Sequence, residues 1–226
     1  MSLLGSTSAP TSRPGSGDFE RDVHAVARLI PPGRVTSYGA IARYLGAARF
    51  YKIAEYAGAT INFKPMNLGV IFPQSGGLPL GKRPPQRRAY RMMELKRWKA
   101  HLSVDLNYEP KHFPTNDMPA ALIAIAAQQA GHNIADLSLA IMRKCWVEEM
   151  DVAEDATLIE AANQCGLDGT ALSAASKQDD AKQAYDANTQ EASDKQVFGA
   201  PTYIHQDELF WGQDRLDFVE RALSQN

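Results

Sequence analysis

The last thirty residues limit the possible folds more than any other stretch of the chain. Gly199-Ala-Pro-Thr202 turns into an apolar run of Thr202, Tyr203 and Ile204. A short polar turn precedes a second run, Leu209, Phe210 and Trp211, and Gly212-Gln-Asp-Arg215 then opens the final segment. Two short β-type runs about a tight turn, followed by a helix with an acidic residue in its first turn, read as a ββα unit. Pro201 stands at the entry to this unit and Asp214 at the start of its closing helix. The unit also needs a neighbouring strand upstream, and none is recognisable there.

Upstream, residues 1–17 are rich in Ser, Gly, Pro and Thr and are expected to be disordered. Asp18 caps a predicted helix over 19–30 that ends at Pro31-Pro-Gly33. Thr36 or Ser37 caps a second one over 38–45, stopped by Gly46. The pair reads as a helix–turn–helix-like segment over 18–49. A helical pattern over 48–57 stops at Gly58, and Ala59 to Lys64 alternates with period two, which predicts a strand ending at Pro65. After a Gly- and Pro-rich connection over 67–85, helices are predicted over 86–103, 118–130, 133–147, 156–165, 168–174 and 177–192. Residues 50–75 and 195–226 thus form one α/β domain, with 76–194 inserted as a helical block.

Composition narrows the function classes. A formal charge of −2 over 226 residues gives no global pull toward nucleic acid or an anionic membrane. No apolar run approaches the roughly 18 residues of a membrane span. The N-terminus lacks the layout of a secretory signal. Cys145 and Cys165 form no CxxC, so neither a dithiol redox motif nor a zinc site is written here, and both are expected as buried hydrophobes on helix faces. No metal is expected, and a soluble cytoplasmic protein is the expected class.

Four segments carry a family resemblance: Ala57-Gly-Ala-Thr-Ile-Asn-Phe-Lys-Pro-Met-Asn-Leu-Gly69, Pro110-Lys-His-Phe-Pro114, Phe198-Gly-Ala-Pro-Thr202 and Trp211-Gly-Gln-Asp-Arg-Leu216. In this order they resemble 2-hydroxychromene-2-carboxylate isomerases and kappa-class glutathione transferases of the DsbA-like thioredoxin superfamily. The resemblance implies an α/β, thioredoxin-like fold with an inserted all-helical subdomain and glutathione as cofactor. It implies that Pro201 is cis, with the main chain of Ala200 presented to the cysteinyl part of glutathione. It implies that Trp211, Gly212, Gln213 and Asp214 hold the γ-glutamyl end, where the alternative for Asp214 is a plain helix cap. For an aromatic substrate it points to Asn67, Arg87 and Phe113. Here the alternatives are a self-satisfied turn for Asn67 and a solvated basic face for Arg83, Arg87, Arg88 and Arg91. His112 is read as structural or solvent-facing. Dimerisation is common among such relatives.

One part of that pattern is missing. The family opens with an apolar strand and a Ser-Pro-x-Ser motif whose first Ser activates the thiol. Here Ile30-Pro-Pro-Gly-Arg-Val-Thr-Ser-Tyr-Gly-Ala-Ile-Ala-Arg-Tyr-Leu-Gly-Ala-Ala-Arg49 stands in its place. Residues 19–49 instead resemble alkyltransferase-like and alkylguanine-DNA alkyltransferase proteins. The first strand is therefore missing or replaced; if Arg34 to Tyr38 replaces it, Ser37 is a surrogate for the activating Ser, and the alternative is that Thr36 and Tyr38 belong to a helix. A natural fusion, a rearranged gene and an engineered or assembly chimera all fit. Three functions follow: glutathione-dependent cis–trans isomerisation of an aromatic enone-type acid; a DNA-lesion-binding module at the N-terminus, which lacks its reactive Pro-Cys-His-Arg loop; and a catalytically dead thioredoxin-like domain.

Overall fold

Helix α1 is the hinge of the architecture. In the computed structural model, which describes residues 39–78 and 80–225, α1 runs unbroken over Gly39–Tyr56. The expectations for residues 1–38, Ser37 included, lie outside the described residues. The expected stop at Gly46 does not occur. Glycine in a helix costs about 1 kcal/mol against alanine, but this one is required by packing: a Cβ there would lie 2.6 Å from the Cβ of Gln213. The true stop is Gly58, at φ +62. The Ala59 N–H closes the helix end on the Ala54 carbonyl at 2.9 Å.

Residues Ala59 to Pro65 differ from expectation in an instructive way. Ala59, Ile61, Phe63 and Pro65 are half-buried while Thr60, Asn62 and Lys64 are exposed, the alternation of a strand. Yet the segment is not a strand, because among the described residues no ladder pairs it. Side chains hold it instead. Phe63 packs edge-on against Tyr51 of α1 at 5.9 Å, Asn62 Oδ1 accepts from Gln128 Nε2 at 3.1 Å, and Lys64 pairs with Glu191 at 3.0 Å. Alternation reports which face is covered; a ladder needs a neighbouring strand.

The connection that follows holds a short helix α2 (Leu68–Gln74) and a 3₁₀ turn (Leu80–Lys82). The helical block then comprises α3 (Pro85–Leu102), α4 (Met118–Gln129), α5 (Ala135–Trp146), α6 (Asp155–Gln164), α7 (Gly169–Ser176) and α8 (Asp179–Asp194). Helix α4 is buried along Ile123–Ala127, as expected of a helix covered on most sides, and packs against α5, α6, α7 and α8. The main core joins its Ile123, Ala124 and Ala127 to Leu95, Leu137, Trp146, Leu158 and Leu172. At its edge the buried Lys144 Nζ donates to Glu148 and Glu160 at 2.8 and 2.7 Å, so the hidden charge is paired on both sides.

The C-terminal unit is an antiparallel hairpin, β1 (Thr202–His205) and β2 (Glu208–Trp211), with Thr202 opposite Trp211. Gln206 and Asp207 both have positive φ, giving the tight turn whose twist suits a hairpin. A 3₁₀ turn over Gln213–Arg215 leads into α9 (Leu216–Leu223). Asp214 therefore sits in that turn, ahead of the helix rather than within its first turn. A second core ties the hairpin to α1: Ile53, Phe210, Leu216 and Val219 are buried together, with Phe50 and Tyr203 against them. The described residues are thus mostly helical with one small antiparallel sheet.

Candidate functional site

The end of the hairpin away from its turn brings two loops together. The Ala200–Pro201 peptide is cis, and both residues are buried. The Thr202 hydroxyl donates to the Gly199 carbonyl at 2.8 Å, and the Gly212 N–H donates to the Pro201 carbonyl at 2.9 Å. Ala200 is 4% exposed. Among the described residues its main-chain N–H and C=O have no hydrogen-bond partner. Buried main-chain groups are nearly always paired, so this pair is a candidate contact for a ligand.

Gly199 and Gly212 are sterically required. A Cβ at Gly199 would fall on the indole Nε1 of Trp211, well inside van der Waals contact. The adjacent Phe198 ring packs against Trp211 at 4.6 Å between centroids and is 38% exposed, forming an aromatic lip. Gly212 has φ +101, and a Cβ there would collide with Asp214 Oδ1.

Asp214 is the acidic member. Its Oδ2 accepts from Arg215 Nη1 at 2.8 Å. Burial, opposed by the Arg215 charge, holds its carboxyl above the usual aspartate range. Gln213 is buried under α1 at Gly46. Burial pushes the Cys145 thiol up to about 11 and raises that of half-buried Cys165 for the same reason, which disfavours thiolate at both free cysteines.

Ala200, Pro201, Trp211, Gly212, Gln213 and Asp214 are thus one locus. The other three candidates lie on other elements. Asn67 caps α2, its Oδ1 accepting from the Gly69 N–H at 2.9 Å, while its own N–H donates to Thr189 Oγ1 at 2.9 Å. Phe113 packs on Trp146 at 4.5 Å, against the helical core. Arg87 is exposed in the first turn of α3, near Arg83. His112 sits 3.7 Å from Asp151. Sequence reasoning gave Phe198 and Gly199 no role of their own and read Arg215 as a surface or structural residue. The signal for Gly199 was its place one residue ahead of the X–Pro bond; for Arg215 it was adjacency to Asp214.

Likeness to known proteins establishes the family and the fold. Residues 44–224 match the model of the DSBA-like thioredoxin domain family. The chain belongs to that family. It is 29% identical over 182 residues to a 2-hydroxychromene-2-carboxylate isomerase of Sphingobium xenophagum, covering 80% of this chain and 91% of that protein. The corresponding isomerase of Pseudomonas putida is 25% identical over 183 residues, covering 80% and 87%. Among solved structures, a 2-hydroxychromene-2-carboxylate isomerase superposes with TM-score 0.68 at 23% identity, over 81% of this chain and 89% of the other. No helix among the described residues is long and apolar enough to cross a membrane.

Proposed function

We propose that this domain binds glutathione and catalyses cis–trans isomerisation of an aromatic enone-type acid; the names of its relatives supply the isomerase class, and the resemblance of its motifs supplies the thiol. The bound thiolate adds to the electron-poor carbon of the enone and forms a C–S bond, while the π pair moves toward the carbonyl oxygen. The former double bond, now single, rotates. The electron pair then returns, the C–S bond breaks and the thiolate leaves, so the step is redox-neutral and needs no co-reactant. The protein contributes proximity and a site shaped for the thiol. The cytoplasm, with its glutathione pool, suits this chemistry.

One observation carries the reading: the unpaired main chain of buried Ala200, beside an acidic turn that suits an ammonium group. Burial raises both of the chain's own thiols, which disfavours thiolate there and suits a borrowed one. A thermal shift and calorimetric titration with millimolar glutathione test it; no shift and no heat sink it.

A second reading, binding without turnover, is favoured by where the family match begins. It starts at residue 44, and the Ser-Pro-x-Ser motif that the resemblance calls for upstream is not written in this chain. Glutathione binding without loss of the 2-hydroxychromene-2-carboxylate absorbance selects this reading. Turnover abolished by Ser37→Ala selects the enzyme with Ser37 as activator.

A further inference from the structure

Arg215 forms its only ion pair among the described residues with the residue directly before it. Its Nη1 donates to both Asp214 Oδ2 at 2.8 Å and the Asp214 carbonyl at 3.2 Å. The other carboxylate oxygen is turned toward Gly212, in the space a Cβ would fill. Both charges sit at a rim, with side-chain exposures of 28% for Arg215 and 19% for Asp214. The carboxylate that suits a ligand's ammonium is therefore already occupied by a cation of the chain itself.

We propose that Arg215 is a resident competitor at the glutathione site: it neutralises Asp214 in the free protein and must swing away when the ligand's ammonium arrives. The inference rests on the glutathione reading given above. The exchange is physically inexpensive. The guanidinium is held through its immediate neighbour, and a rim pair of this kind contributes little net stability. An ammonium is a compact charge with three donors and can approach the same oxygens. The main-chain anchor is separate, because the Arg215 N–H donates to the Gly212 carbonyl at 3.1 Å, so the turn keeps its shape while the side chain moves. Arg215 thereby sets how strongly the site discriminates in favour of an amine-bearing thiol.

The test measures affinities of the full chain for glutathione and for N-acetylglutathione, which lacks the ammonium. In Arg215→Gln the ratio of the two affinities is expected to rise about threefold to fivefold over wild type, the effect of releasing one rim ion pair. Arg215→Lys, which keeps a cation in place, should stay near the wild-type ratio. A general loss of positive charge lowers both affinities together and leaves the ratio unchanged; that result, or a falling ratio, overturns the proposal. If neither ligand binds any of the three proteins, the glutathione reading itself fails, and this inference with it.

Discussion

The N–H of Gly212 donates to the carbonyl of Pro201 at 2.9 Å, which couples the loop holding Ala200 to the turn holding Asp214. Gly212 makes that bond at φ +101, a conformation that side-chain-bearing residues rarely adopt. Gly212→Ala should therefore cost about 1–3 kcal/mol in urea unfolding. It should also abolish glutathione binding, because the added Cβ displaces Asp214. A variant that keeps both wild-type stability and binding shows that the two loops are not coupled through this residue.

Gly46→Ala is expected to destabilise the protein although it replaces glycine in a helix. Propensity alone favours alanine by about 1 kcal/mol. Against this stands a Cβ 2.6 Å from the Cβ of Gln213, with the Gln213 Cα at 3.5 Å and the Tyr203 hydroxyl at 3.6 Å. Moving a helix off a packed turn costs about 1–3 kcal/mol, so packing wins and the melting temperature falls. A rise instead means that α1 has room to move over the 3₁₀ turn.

How much of this was legible beforehand follows from which elements are local. The hairpin, the six helices of the inserted block and the stop at Gly58 are written in periodicity and punctuation, and the structure has them within a few residues. Gly46 misled, because a glycine that ends a helix and one that admits a distant side chain look alike in one dimension. The segment from Ala59 to Pro65 misled differently: its alternation is real, but pairing depends on another part of the chain. Ala200 to Asp214 were brought together because a two-residue turn dictates their register. Asn67 and Phe113 depend on Thr189 and Trp146, far away in sequence, and no local pattern announces those partners.

Asp214→Asn separates ligand binding from stability. Burial raises the Asp214 carboxyl in the folded protein above its unfolded value. Its favourable contribution is therefore fully present below the unfolded pKa, about 3.9, and is lost as the pH rises through the folded value. At about pH 7.5 the ionised carboxylate costs stability that the neutral amide does not. The variant should be at least as stable as wild type there, with the difference shrinking toward about pH 4, while glutathione affinity drops. Melting curves at the two pH values decide; an advantage that grows on acidification contradicts the burial argument.

Arg49 offers the sharpest contest between charge and packing. It lies on α1 beside α9, and its Nε and Nη2 are hidden without a hydrogen-bond partner. Burial lowers its pKa, while Asp217, Glu220 and Tyr203 pull the other way. Each hidden unpaired donor costs about 1–3 kcal/mol, whereas the charge attraction of Asp217 and Glu220 offsets about 1 kcal/mol. Arg49→Met keeps most of the aliphatic stem and removes the donors, so it should leave stability unchanged or raise it by about 1–2 kcal/mol. Arg49→Ala also removes the stem and should fall below Arg49→Met by about 1 kcal/mol or more. Denaturant unfolding of the three proteins orders them; a methionine variant clearly weaker than wild type means the guanidinium stabilises the contact between α1 and α9 through its charge.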